Sequence, residues 1–152
     1  MLGKIWIKVF CDGISMKIRA FDRDKDIHAV IRWFEDQEWP YPPVENLLPD
    51  MGVVSVDEGD NALACCFVYT TGTSLASVSW IGWEPKLDRF QKEEALGAIL
   101  ERIQKEAMEA SPKIRLIEIS TRDRSLEALL KEKGFWVKYG YYRATFIPPN
   151  QE

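Results

Sequence analysis

Alternating apolar positions at Ile5, Ile7 and Val9 predict a short strand near the start of the chain. Residues 16–21 predict a second strand, after which Asp22 or Asp24 offers a helix N-cap. In that helix Ile27, Val30, Ile31 and Phe34 recur at i, i+3, i+4 and i+7, so they share one buried face. The prolines of residues 39–43 exclude a helix interior and favour an extended loop, with room for one more helical turn over 45–48. Three strand-like runs then follow, at 53–57, 62–69 and 75–83. They are separated by the turn residues of 58–61 and by Gly72, a pattern that predicts an antiparallel meander. A long helix over about 90–110 presents Leu96, Ile99, Leu100, Ile103 and Ala107 on one side and stops at Pro112. Residues 114–120 predict a strand apolar on both faces, as suits a central sheet position. A helix over 125–133 closed by Gly134, with Phe135 covering its end, and a hairpin over 136–147 complete the chain.

At 152 residues the chain is long enough to bury a core without staples. Its net charge of −4 supplies no global basic field, so a nucleic-acid-coating role is disfavoured. The N-terminal apolar residues are interrupted by Lys4 and Lys8, and no run approaches the roughly 18–20 residues of a membrane span. Three cysteines form no disulfide framework; Cys65 and Cys66 are neighbours on a strand and point to opposite faces. A reducing, cytoplasmic setting follows as the expectation. With His28 as the single histidine, a His-rich metal site is excluded and no metal is expected. Met16 is an alternative start, and residues 1–15 read as an extension that adds one strand.

The segment 80–100 carries the strongest chemical signal. An apolar strand ends at Glu84-Pro85 and delivers the chain through a short polar stretch to a helix N-terminus. The first amides of a helix lack intrahelical partners and sit at the positive end of the macrodipole, so this layout favours an anion. The element order is mixed α/β. With Lys17-Ile-Arg-Ala-Phe-Asp near the start and Leu129-Leu-Lys-Glu-Lys-Gly-Phe135 near the end, the chain over 16–147 resembles the GNAT superfamily of acyl-CoA-dependent N-acyltransferases.

That resemblance implies a largely antiparallel mixed sheet flanked by helices, with two central strands splayed apart to admit acetyl-CoA. Trp83 would offer backbone groups to the pantetheine and the first amides of the long helix would hold the pyrophosphate; Gln91 and Asp123 are further cofactor-binding candidates, and Arg89 and Lys92 read as phosphate contacts or as solvated helix-start residues. The family's pyrophosphate signature is Q/R-x-x-G-x-G/A. Aligning 99–103 with the family helix puts Gln91 first and Glu94 and Leu96 at the small-residue positions; starting at Arg89 puts Lys92 and Glu94 there. The family's proton-donating tyrosine corresponds to Leu130, and the asparagine that often heads its closing block corresponds to Asp123.

Glu84 reads either as the base that deprotonates an attacking amine or as a solvated loop carboxylate. Tyr139 and Tyr141 read as candidate acids in place of the missing tyrosine or as cross-strand aromatic packing. Trp33, Trp39 and Tyr41 read as an aromatic rim on the acceptor side or as packing. The resulting expectation is acetyl transfer from acetyl-CoA to a primary amine, on a small molecule or a protein, by direct attack. The alternative is a catalytically inactive binding domain on the same scaffold. A homodimer is common in such families, neither nucleic acid nor membrane is expected as a partner, and residues 148–152 are expected to fray.

Overall fold

β-Branched and small residues dominate the strands, and Ile7–Cys11 and Ile14–Ala20, Gly52–Val56 and Ala62–Thr70, and Ala62–Thr70 and Leu75–Trp83 are separated by only a few residues. The computed structural model describes residues 7–11, 14–37, 48–49, 51–110, 114–121 and 123–135. Among them is a six-stranded sheet in sequential order. β1 (Ile7–Cys11), β2 (Ile14–Ala20), β3 (Gly52–Val56), β4 (Ala62–Thr70) and β5 (Leu75–Trp83) pair antiparallel in turn. β6 (Leu116–Ile119) pairs parallel with β5 after the crossover through α2 (Arg89–Glu109). The loop expected over 39–43 and the terminal hairpin over 136–147, with Tyr139 and Tyr141, lie outside the described residues.

Two cores sandwich the sheet. On one face α1 (Arg23–Asp36) lays Ile27, Val30, Trp33 and Phe34 against Val54, Val56, Cys65 and Phe67. On the other, α2 covers Met16, Val53, Cys66, Val68 and Val78. Cys65 and Cys66 thus belong to different cores, as strand alternation requires. α2 is buried nearly all round from Ala95 to Leu100 because α3 (Glu127–Glu132) and the 3₁₀ turn before it (Arg124–Leu126) pack on its outer side. Gly97 lies on that side: an added Cβ would meet Lys133 Cε at 3.2 Å and Leu129 Cδ1 at 3.5 Å.

α1 starts where expected, with the Asp22 carboxylate accepting from the amides of Asp24 and Lys25. Its position is fixed further by Asp26, 2% exposed, which takes two hydrogen bonds from Arg19 of β2 at 2.6 and 2.8 Å and one from the Asp22 amide. Arg19 also reaches Asp60 in the β3–β4 turn, so one guanidinium ties β2, α1 and that turn together. The Arg19 contact holds the Asp60 carboxyl below the usual carboxylate range.

One expectation is corrected. β6 is shorter than 114–120 and is not buried on both faces: Leu116 is 62% exposed and Glu118 is also exposed. Only Ile117 and Ile119 turn to the core, so its two outward positions follow the alternation of a half-covered strand.

Candidate functional site

β5 outruns its parallel neighbour. Leu75–Val78 pair with Leu116–Ile119, and the Ser120 amide donates to the Val78 carbonyl at 3.3 Å. There β6 ends, while β5 continues to Trp83 along β4. Beyond Val78 no β6 residue pairs with β5, and the edge of residues 79–83 that faces away from β4 is here called the slot. The Glu84 amide turns to β4, donating to the Leu63 carbonyl at 2.8 Å. Strand alternation therefore directs the N–H and C=O of Trp83 away from β4, toward the slot.

A bulge interrupts β5 where the slot opens. Cys65 stands opposite Gly82 and Phe67 opposite Ser79, so Cys66 alone faces both Trp80 and Ile81. Trp80 takes up the extra residue with φ of +53°, a left-handed conformation that a tryptophan adopts only under constraint. Two side-chain contacts hold it: its indole N–H donates to Tyr69 Oη at 2.8 Å, and Phe34 meets it edge-on at 5.5 Å. The bulge resets the alternation. Trp80 packs with the α1 core, Ile81 and Trp83 face α2, and Glu84 falls on the α1 side.

The end of β5 consequently presents opposite charges on its two faces. On the α1 side, Glu84 Oε2 accepts from the indole N–H of buried Trp33 at 3.1 Å and from the Arg32 guanidinium at 3.2 Å. On the α2 side, Lys92 lies over the Trp83 ring, with Nζ 4.5 Å from the centroid. The same Nζ donates to Ser125 Oγ at 2.8 Å and stands 3.8 Å from Asp123 Oδ2. The Lys92 side chain is only 14% exposed, so its alkyl stem is buried and its ammonium spans the slot mouth.

Trp83, Lys92 and Asp123 thus meet, and Glu84 stands across the strand from them. Arg89 and Gln91 do not join the cluster. Arg89 is 82% exposed and bonded to Glu93 at 2.9 Å. Gln91 is engaged in a capping box: Asp88 Oδ1 accepts from the Gln91 amide at 2.8 Å, and Gln91 Oε1 accepts from the Asp88 amide at 3.1 Å. A carboxylate therefore already sits on the α2 N-terminus. Leu130 is 7% exposed within the apolar core beside Leu96, so the position aligned with a proton-donating tyrosine carries no donor.

Arg32, Ser125, Tyr69 and Trp80 were not legible as site residues. Ser125 carried a local signal, because Asp123 two residues ahead caps its amide at 2.7 Å. A third register, Lys92-x-x-Ala95-x-Gly97, meets the Q/R-x-x-G-x-G/A pattern only at its last position, with lysine in place of Gln or Arg and alanine in place of the first glycine. It puts the slot cation first and small residues at both later positions, and Ala95 is fully buried. In this fold Gly97 lies against α3, about two turns beyond the helix start.

No protein-family model matches the chain, and no curated protein matches it by sequence. Solved structures do. A GNAT-family acetyltransferase from Streptococcus pneumoniae superposes with a TM-score of 0.56 at 15% identity, covering 91% of this chain and 99% of that one. A structure from Clostridium acetobutylicum, titled as a predicted acetyltransferase with acetyl-CoA, gives 0.57 at 16%, covering 86% and 96%. An aminoglycoside antibiotic 6'-N-acetyltransferase from Acinetobacter baumannii gives 0.57 at 13%, covering 88% and 99%. Over nearly its whole length, this chain has the fold of the GNAT acetyltransferases.

Proposed function

We propose that the protein is an acyl-CoA-dependent N-acyltransferase, using acetyl-CoA to acylate a primary amine on a small molecule or a protein. The observation that carries this reading is the end of β5–β6 pairing at Val78 just ahead of a bulge at Trp80, with Lys92 beside Asp123 on one face of the β5 end and Glu84 beside Arg32 on the other. Acyl transfer from a thioester to an amine needs an anion-tolerant slot for the donor and a proton acceptor on the acceptor side. Lys92, Ser125 and the backbone of Trp83 suit the donor: an ammonium and a hydroxyl for phosphate, and strand amides for the pantetheine. Glu84 suits the acceptor side, because two donors orient one oxygen and leave the other for a substrate ammonium or a relaying water. The fold shared with a structure titled as holding acetyl-CoA supports the same donor.

A second reading, a binding domain without catalysis, has its own support. Leu130 is sealed in the core and Asp88 occupies the α2 N-terminus. Acetyl transfer to a panel of primary amines, run with wild type and Glu84→Gln, separates the two. Transfer by wild type that falls in the variant supports the enzyme; acetyl-CoA binding without transfer to any amine supports the binding domain.

A further inference from the structure

We propose that Asp123 sets the affinity of the slot for phosphate-bearing ligands by competing with them for Lys92, a proposal that rests on the acyl-CoA reading of the slot. Lys92 crosses from α2 to the segment ahead of α3, donating to Ser125 Oγ at 2.8 Å and facing Asp123 Oδ2 at 3.8 Å. The bridge ties α2 to that segment. It also pairs the Lys92 ammonium with a carboxylate, while Arg89 turns to solvent on Glu93.

Asp123 has divided duties. Oδ1 accepts from the Ser125 amide at 2.7 Å and starts the 3₁₀ turn, which holds the carboxylate in place, while Oδ2 faces Lys92. A phosphate that takes Lys92 must displace this carboxylate as a partner and then lie close to it. Two like charges at that range in a partly exposed site oppose each other, with a strength that salt reduces. Lys92 and Asp123 side chains are 14% and 31% exposed, so water screens the contact only in part.

Asp123→Asn separates the two duties. Asparagine is as good a cap as aspartate, so the 3₁₀ turn persists while the charge goes. Calorimetric titration with coenzyme A is expected to show binding about three- to tenfold tighter in D123N at low ionic strength, the gain shrinking as salt is raised. The same exchange made on a Lys92→Met background is expected to change affinity less than twofold, because the contested cation is gone. Binding by wild type that D123N does not tighten, or tightening that persists undiminished without Lys92, overturns the proposal and leaves the acyl-CoA reading standing. Coenzyme A bound by neither wild type nor D123N overturns both.

Discussion

Glu84 is held by a fully buried indole and a surface guanidinium on one oxygen, an arrangement that fixes where its other oxygen points. Under the proposed function Glu84→Gln keeps an acceptor oxygen and removes the proposed base; kcat for acetyl transfer is then expected to fall about 10²-fold or more, with KM for acetyl-CoA nearly unchanged. Equal losses in kcat and in acetyl-CoA binding would place Glu84 in the donor site instead. The cysteines behave in the opposite manner, as groups kept out of chemistry. Burial pushes the Cys65 thiol up to about 12 and raises Cys66 well above its ordinary value. Native Cys65 and Cys66 are therefore expected to resist a thiol reagent at pH 8 and to react once the chain unfolds. The linkage has a definite sign. Above about pH 8.5 the unfolded Cys65 thiol ionises while the folded one stays protonated, so the stabilisation present below that pH is lost as pH rises toward 12. Urea denaturation from pH 8 to 10 is expected to fall less steeply for Cys65→Ala than for wild type; identical slopes would mean the thiol titrates freely.

At the scale of elements, two glycines in contact with side chains are expected to respond differently to one methyl group. In Gly97→Ala the new Cβ meets the flexible end of Lys133 at 3.2 Å, and the helix gains up to about 1 kcal/mol of propensity. Its urea midpoint is expected to hold or rise. In Gly82→Ala the Cβ meets the Phe34 ring at 3.3 Å and Cys65 Sγ at 3.4 Å inside a packed core, and a loss of about 1–3 kcal/mol is expected. A stabilised Gly82→Ala would show that the β5 end is looser than its contacts imply. The elements themselves were largely legible. Leu75–Trp83 falls on its expected bounds and α1 begins at its expected cap because local polarity and turn chemistry decide both. The bulge at Trp80 was not. An unbroken alternation assigns Trp80 to the α2 side, and only the two-for-one pairing opposite Cys66 moves it across. The α2 start holds a sequence-local capping box between Asp88 and Gln91, which engages the Gln91 side chain at the helix end.

For the whole molecule, the two-core sandwich brings residues distant in sequence to the two faces of the β5 end: Arg32 and Trp33 from α1, Lys92 from α2, Asp123 and Ser125 from the segment before α3. The order of elements was readable in the sequence because periodicity reports each one separately, whereas this convergence depends on packing that no local pattern encodes. It also divides the helix-start cations. Lys92 is drawn over Trp83 and into the slot, while Arg89, one position after the cap, is turned outward and salt-bridged to Glu93. Ligands that bind the native state raise its stability by about 2.7 kcal/mol at a hundredfold excess over Kd. For a chain of this size that corresponds to a rise in melting temperature of roughly 5–10 °C with saturating acetyl-CoA. Under the proposed function Lys92→Ala is expected to shrink the shift by several degrees, since it removes the partly buried ammonium assigned to the phosphates. Arg89→Ala is expected to leave it within about a degree, because an exposed i,i+4 pair contributes only about 0.3–0.5 kcal/mol to the helix and does not reach the slot. Equal effects of the two variants would place the phosphates on the outer surface of α2 rather than between β5 and the segment before α3. No shift in wild type would remove acetyl-CoA as the ligand and favour the non-catalytic reading of the fold.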